Sequence, residues 1–310
     1  MKYRTLGETG LEVSVASFGT GSLGEMFGPL PEADALRLVD EVLDSGINLI
    51  DTSPYYASAE QRLGKALTPA KRDKVILATK AGRYGFSDFD FSPERIRMSV
   101  EDSLRLLRTD YIDVLQLHDI EFVNLEPVLT ESCAELVRLK EQGKCRFIGM
   151  TGYPIKTFRR VIEETPVDVI LTYGKGNLLD NSLSDELSAV AKEQAVGVMN
   201  AAAVALGLLS QRGSKFDNEH PAPDVVREAA AKMVALANQL GIDLAFLANQ
   251  YAFQCVDSPT TVVGVGKRPH LQSALDAVDT PVDLDLVNKF LALRPPADSR
   301  QWQVGLPENN

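Results

Sequence analysis

With 310 residues, the chain is long enough for two average domains, although α/β barrels of this length also fold as one. Hydrophobic residues make up 45% and charged residues 24%, which excludes a low-complexity chain and suits a globular protein with a large core. The net charge of −11 speaks against a nucleic-acid partner, because a phosphate backbone needs a basic face, and suits a small-molecule enzyme.

In chain order, the stretch from Tyr3 to Val15 carries GETG, which reads as a hairpin turn. Strands and helices then alternate. Apolar runs ending at Phe18, Ile50, Thr79, Leu117, Met150, Leu171, Met199 and Val263 read as strands. Runs such as VILAT and VDVIL are continuous, as in strands covered on both faces. Pro29 and Pro31 delay the first helix to about Glu32. Ser92-Pro93 gives an N-cap and first-turn pair ahead of Ile96, Val100, Leu104 and Leu107 on one face. Asn124 and Gly143 bracket another helix, Gln211 to Pro223 reads as a long loop, and Asp224 to Leu240 as an Ala-rich helix. Eight strands with intervening helices predict a closed (β/α)8 TIM barrel with an N-terminal β-hairpin and a C-terminal tail, one domain over 1–310. A doubly wound open sheet is the alternative.

No apolar run reaches the ~18 residues that span a bilayer, and MKYRTLGETGLEVS lacks the apolar centre of a signal peptide. No membrane partner and a cytoplasmic location are therefore expected, with a monomer or small homo-oligomer. Cys133, Cys145 and Cys255 form no C-x-x-C pair, and Cys133 shares an apolar helix face with Leu129, Leu136 and Val137. Buried, reduced thiols are expected.

Barrel enzymes keep their chemistry at the C-terminal ends of the strands. After the second strand come Asp51 and Tyr56, after the third Lys80, after the fourth His118. Singly, each has an ordinary structural reading: a turn former, a packed phenol, a solvated end, a structural imidazole. A barrel would converge all four. A phenol with a pKa near ~10 is a poor base at neutral pH. A neighbouring ammonium, held by Asp51, is expected to lower that value, so that Tyr56 exchanges a proton while hydride moves at the same carbon. His118 would hydrogen-bond and orient the substrate oxygen. With three histidines in the chain, no metal is expected.

The motifs FGTGSLG, DTSPYYASAEQRLGKAL, LATKAG, DYIDVLQLHD, GKCRFIGMTG, GLLS and VVGVGKRPHLQSAL together resemble the aldo-keto reductase superfamily nearly end to end. Within it, LQLHDIEF and IGMTGYP are most similar to L-galactose dehydrogenase and related sugar 1-dehydrogenases. The resemblance implies a TIM barrel that binds NAD or NADP without a Rossmann domain, with the catalytic roles on Asp51, Tyr56, Lys80 and His118. For a sugar dehydrogenase, Tyr56 would take the C1 hydroxyl proton of a cyclic aldose and the product would be a lactone.

Gly19-Thr20-Gly21-Ser22-Leu23-Gly24 matches G-x-G-x-x-G, but a Rossmann turn needs a helix opening inside its glycines. Here no helix follows until about Glu32, so the match is expected to be fortuitous. By resemblance, Thr20 and Gly21 lie beside the nicotinamide ribose. The phosphate site is expected at Gly264, Gly266, Lys267 and Arg268, where small residues and cations open a helix; an ordinary loop with exposed charges is the alternative.

Three places in the chain depart from the family pattern. Thr151-Gly152 stands where many relatives carry Ser-Asn for the carboxamide, leaving the Thr151 hydroxyl for that contact. Asn200-Ala201-Ala202-Ala203-Val204 lacks the aromatic that stacks on nicotinamide in relatives. His270 and Ala274 stand where NADP-dependent relatives place Arg and Asn. An imidazole replaces a guanidinium poorly, so NAD use is expected, or dual use with NADP through Lys267 and Arg268. Tyr55, Asp119, Tyr153 and Trp302 are candidates for the substrate rim, with simple tail packing as the alternative for Trp302. The leading expectation is an aldose 1-dehydrogenase acting on L-galactose, L-fucose or a related pyranose. A carbonyl reductase of small aldehydes or ketones and a catalytically idle regulatory barrel are the rivals.

Overall fold

The structure is a computed structural model and describes residues 1–211 and 220–310. Residues 212–219, within the expected Gln211–Pro223 loop, lie outside the described residues. The expected hairpin forms from β1 (Tyr3–Thr5) and β2 (Glu12–Ser14), which pair antiparallel. Eight parallel strands follow: β3 (Ala16–Gly19), β4 (Leu49–Asp51), β5 (Ile76–Ala81), β6 (Ile112–Leu117), β7 (Cys145–Gly152), β8 (Val169–Tyr173), β9 (Gly197–Ala201) and β10 (Thr260–Gly264). They close into a barrel as β10 pairs with both β9 and β3. This is the (β/α)8 fold, and the open-sheet alternative is excluded.

Most barrel strands run one or two residues past the expected ends. Lys80 is therefore inside β5, paired with Gln116, and Thr151 is inside β7, paired with Leu171. The backbone ladder is indifferent to side-chain polarity, so apolar runs end before the hydrogen bonding does. The extra residues form a polar layer at the mouth above an apolar interior.

That interior holds Leu49, Ala78, Val114, Val169, Leu171 and Met199, and the hairpin closes its floor with Leu6, Leu11 and Val13. Gly7, at φ +53°, lies against the backbone of Gly197, where a Cβ would overlap it. Around the barrel, the helix Glu32–Asp44 begins where the prolines allow, and Ser92 Oγ accepts the Arg95 N–H (3.3 Å) to cap Pro93–Leu107. The segment expected as one helix between Asn124 and Gly143 has a π-helical turn at Val128–Ser132 ahead of Cys133–Glu141. Cys133 and Cys145 are buried, and burial pushes the Cys133 thiol up to about 11. Among the described residues no single helix is long and apolar enough to cross a membrane.

Candidate active site

Asp51 ends β4 and Lys80 lies one residue short of the end of neighbouring β5. Lys80 Nζ donates to Asp51 Oδ2 (2.5 Å) and to the Thr52 carbonyl (2.8 Å), and both charged side chains are almost wholly buried. Gln116, on β6, donates to Asp51 Oδ1 (3.3 Å). Burial raises the Asp51 carboxyl above its ordinary value, and the charge and hydrogen bond of Lys80 work against that rise.

Tyr56 closes a single 3₁₀ turn, Pro54–Tyr56, that follows β4. Its backbone is set by a close approach: a Cβ on Gly24 would overlap the Tyr56 carbonyl oxygen. Gly24 is thus the glycine of the G-x-G-x-x-G stretch with a structural duty here, while Thr20–Ser22 form a 3₁₀ turn and no helix opens there. The Tyr56 ring sits 5.1 Å from Lys80 Nζ and 5.9 Å from the His118 ring, edge-on. The expected lowering of the phenol is not found. Desolvation, and then the charges of Asp51 and Asp119, hold Tyr56 well above 10.0. Lys80 is already neutralised by Asp51, so its charge reaches the phenol weakened.

His118 follows β6 and is buried. Its Nδ1 is 3.0 Å from Ser53 Oγ, and its Nε2 is 3.7 Å from Asp119 Oδ2. Desolvation, aided by the charges of Lys80 and Arg83, pushes His118 well below 6.5, so the ring is neutral. Asp119 adopts φ +56°, the left-handed region, which turns its carboxylate back beside the imidazole. Arg83 ion-pairs with that carboxylate and lies over the Tyr55 ring at 4.1 Å.

Thus Asp51, Tyr56, Lys80 and His118 meet at the barrel mouth. Arg83, Gln116 and Ser53 belong to the same cluster and were missed in the sequence. Gln116 was readable: it stands two residues before His118, so strand alternation turns both to one face. Arg83 carried no comparable signal.

The expected cofactor residues fare unequally. Gly264, Gly266, Lys267, Arg268 and His270 are wholly or partly exposed around the start of the helix Arg268–Asp279, whose N-terminus has no side-chain cap. An uncapped helix start flanked by cations fits a phosphate-bearing cofactor. Gly264 has open space where a Cβ would lie. Thr20 is buried and spends its hydroxyl proton on the Asp51 carbonyl (3.1 Å), and Gly21 lies under the Phe27 ring. Thr151 is engaged within the chain. Its hydroxyl accepts from the Asp119 N–H (3.1 Å) and the Tyr173 hydroxyl (3.0 Å) and donates to Asp119 Oδ1 (3.3 Å), so it holds Asp119 in place. Asn200 turns inward, donating to the Gly176 carbonyl (2.9 Å) and Thr261 Oγ1 (3.2 Å). Trp302 is buried, 6.5 Å from the Tyr153 ring, which itself leans on Tyr173 at 5.1 Å.

A phenol, a buried ammonium–carboxylate pair and a neutral imidazole thus converge at the strand ends of a closed barrel. The aldo/keto reductase family model matches residues 17–294, and the chain belongs to that family, an enzyme that works with NAD or NADP. It is 38% identical to the L-galactose dehydrogenase of Arabidopsis thaliana, over 100% of this chain and 99% of the relative. It is 33% identical to the D-arabinose 1-dehydrogenase of Saccharomyces cerevisiae, over 85% of this chain and 82% of the relative. Among solved structures, the holo form of an aldo-keto reductase from Bacillus halodurans superposes with a TM-score of 0.80 at 28% identity, covering 100% of this chain and 99% of that one.

Proposed function

We propose that this enzyme oxidises the C1 hydroxyl of a cyclic aldose of the L-galactose or L-fucose type to a lactone, with NAD preferred to NADP. The observation that carries the reading is the Asp119 carboxylate beside His118, fixed by Arg83 and Thr151. A small aldehyde has no use for a buried acceptor next to the reacting oxygen; a polyhydroxylated ring does. The likeness to an L-galactose dehydrogenase and to a D-arabinose 1-dehydrogenase supports the same class.

The bound nicotinamide ring supplies the hydride acceptor. The chain does the rest. Uncapped backbone and cations at Gly264–Arg268 hold phosphate. Tyr56, once ionised, takes the proton from the C1 hydroxyl, with Lys80 Nζ 5.1 Å from the centre of its ring. Asp51 keeps Lys80 in place. His118 donates to the sugar oxygen and fixes the ring against Tyr56. His270, exposed in the first turn of its helix, lacks the guanidinium fork that grips a 2′-phosphate, which favours NAD.

The test is a panel of L- and D-aldoses and small aldehydes, assayed with each cofactor by the absorbance of its reduced form. Lactone formation with NAD is expected. Turnover confined to simple aldehydes would replace this reading with carbonyl reduction, and cofactor binding without any turnover would point to a regulatory barrel. A hundredfold preference for NADP would overturn the cofactor assignment.

A further inference from the structure

Ser53 stands between Asp51 and Tyr56, and the chemistry above gives it no part. Its side chain is fully buried. Its oxygen accepts the Tyr55 N–H (3.1 Å) and lies 3.0 Å from His118 Nδ1. A serine hydroxyl has one proton to give. Tyr55 N–H is itself a donor, so His118 Nδ1 is the partner able to accept that proton. In a neutral imidazole, an accepting Nδ1 leaves the ring proton on Nε2.

The far side of the ring agrees. His118 Nε2 faces Asp119 Oδ2 at 3.7 Å, and that carboxylate is tied to Arg83 and Thr151. A ring lone pair turned toward a carboxylate is repelled, whereas an N–H is attracted. Two independent contacts, one at each nitrogen, select the same form.

We propose that Ser53 is a positioning residue that locks His118 as the Nε2–H tautomer, making the imidazole a ready hydrogen-bond donor toward the substrate oxygen. The serine hydroxyl holds the ring proton where it is useful, and the Asp119 carboxylate keeps it there before substrate arrives. The effect on turnover rests on the proposed dehydrogenase reading; the tautomer itself does not.

The experiment is a long-range ¹H–¹⁵N spectrum of the full chain labelled at histidine, whose three imidazoles are separated with a His118→Gln reference. His118 is expected to show a pyridine-like Nδ1 and a pyrrole-like Nε2. In Ser53→Ala the ring is expected to populate both tautomers. The kcat for aldose oxidation should fall roughly ten- to hundredfold, with the cofactor Kd unchanged, and Ser53→Thr should restore both. A protonated Nδ1 in the wild type, or a Ser53→Ala enzyme with unaltered tautomer and kcat, would overturn the proposal. Should Ser53→Ala fail to fold, the wild-type spectrum decides alone. If no aldose is turned over, the dehydrogenase reading fails while the spectrum still judges Ser53.

Discussion

Lys80 and Asp51 form an ion pair of 2.5 Å with almost no exposure to solvent, and the carbonyl of Thr52 takes a second ammonium proton. Water cannot replace either partner. Breaking a buried pair from one side costs about 3–5 kcal/mol, because the remaining charge is left without a counter-ion. Asp51→Asn should therefore lower the stability by that amount, read from urea unfolding. Lys80→Met, which leaves a buried carboxylate, should do the same, whereas Asp51→Asn combined with Lys80→Met should recover part of the loss. Additive losses in the double variant would show that the pair contributes no coupling.

The desolvated phenol of Tyr56 governs the pH response of turnover. Tyr56 is held well above 10.0 by desolvation, with the Asp51 charge adding to it. A group titrating above the assay range gains about tenfold in its ionised form per pH unit. Aldose oxidation should rise with pH through the alkaline range without levelling, and carbonyl reduction, which draws on the protonated phenol, should stay flat there. Tyr56→Phe should lose about 10²–10⁴-fold in kcat while retaining cofactor affinity. A plateau in oxidation near neutrality would mean that the phenol is lowered after all.

Gly24 is a sharper test of the turn that carries Tyr56. It is buried, and a methyl group there would occupy the position of the Tyr56 carbonyl oxygen, which is backbone and has no flexible end to yield. Gly24→Ala should displace the Pro54–Tyr56 turn and reduce kcat more than it reduces cofactor binding. Gly143→Ala, in a left-handed position with open space around it, should cost stability alone and serves as the control.

How far the sequence could be read follows the physics of each feature. Strands buried on both faces announce themselves as apolar runs, so the barrel and the meeting of Asp51, Tyr56, Lys80 and His118 were legible in outline. The rest depends on loop conformation. Asp119 reaches back to Nε2 because its backbone is left-handed, and no spacing rule announces that in a non-glycine residue. Arg83 lies in the loop after β5, and its partner is 36 positions away. The engagement of Thr151 depends on Tyr173, on the neighbouring strand, and on Asp119, again a loop residue. The sign of the Tyr56 shift was misread because a pairwise rule weighed Lys80 and omitted burial.

His270 offers a prediction about cofactor choice. It is exposed in the first turn of the helix Arg268–Asp279, close to Lys267 and Arg268. A bidentate guanidinium there adds charge-assisted hydrogen bonds of about 1.5–3 kcal/mol to a phosphate. His270→Arg should raise kcat/KM with NADP by roughly ten- to hundredfold, as that energy implies, and leave the value with NAD near that of the wild type. An unchanged ratio would place the 2′-position of the cofactor elsewhere.

Glu121 lies two residues beyond Asp119, in the 3₁₀ turn Ile120–Phe122, with no exposed surface. Its Oε1 accepts the Tyr153 N–H (3.2 Å), and its Oε2 has no hydrogen-bond partner among the described residues. Burial, and then the charge of Asp119, hold the carboxyl well above 4.5. The folded chain therefore keeps a proton that the unfolded chain releases above pH 4.5, so folding is fully supported below that value and weakens as pH rises toward the folded pKa. Glu121→Gln keeps the shape and has no proton to lose. The difference in Tm between Glu121→Gln and wild type should move steadily in favour of the variant from pH 4.5 upward. A difference independent of pH would mean that Glu121 is ionised in the fold as it is in the unfolded chain, with Arg83 offsetting the repulsion from Asp119.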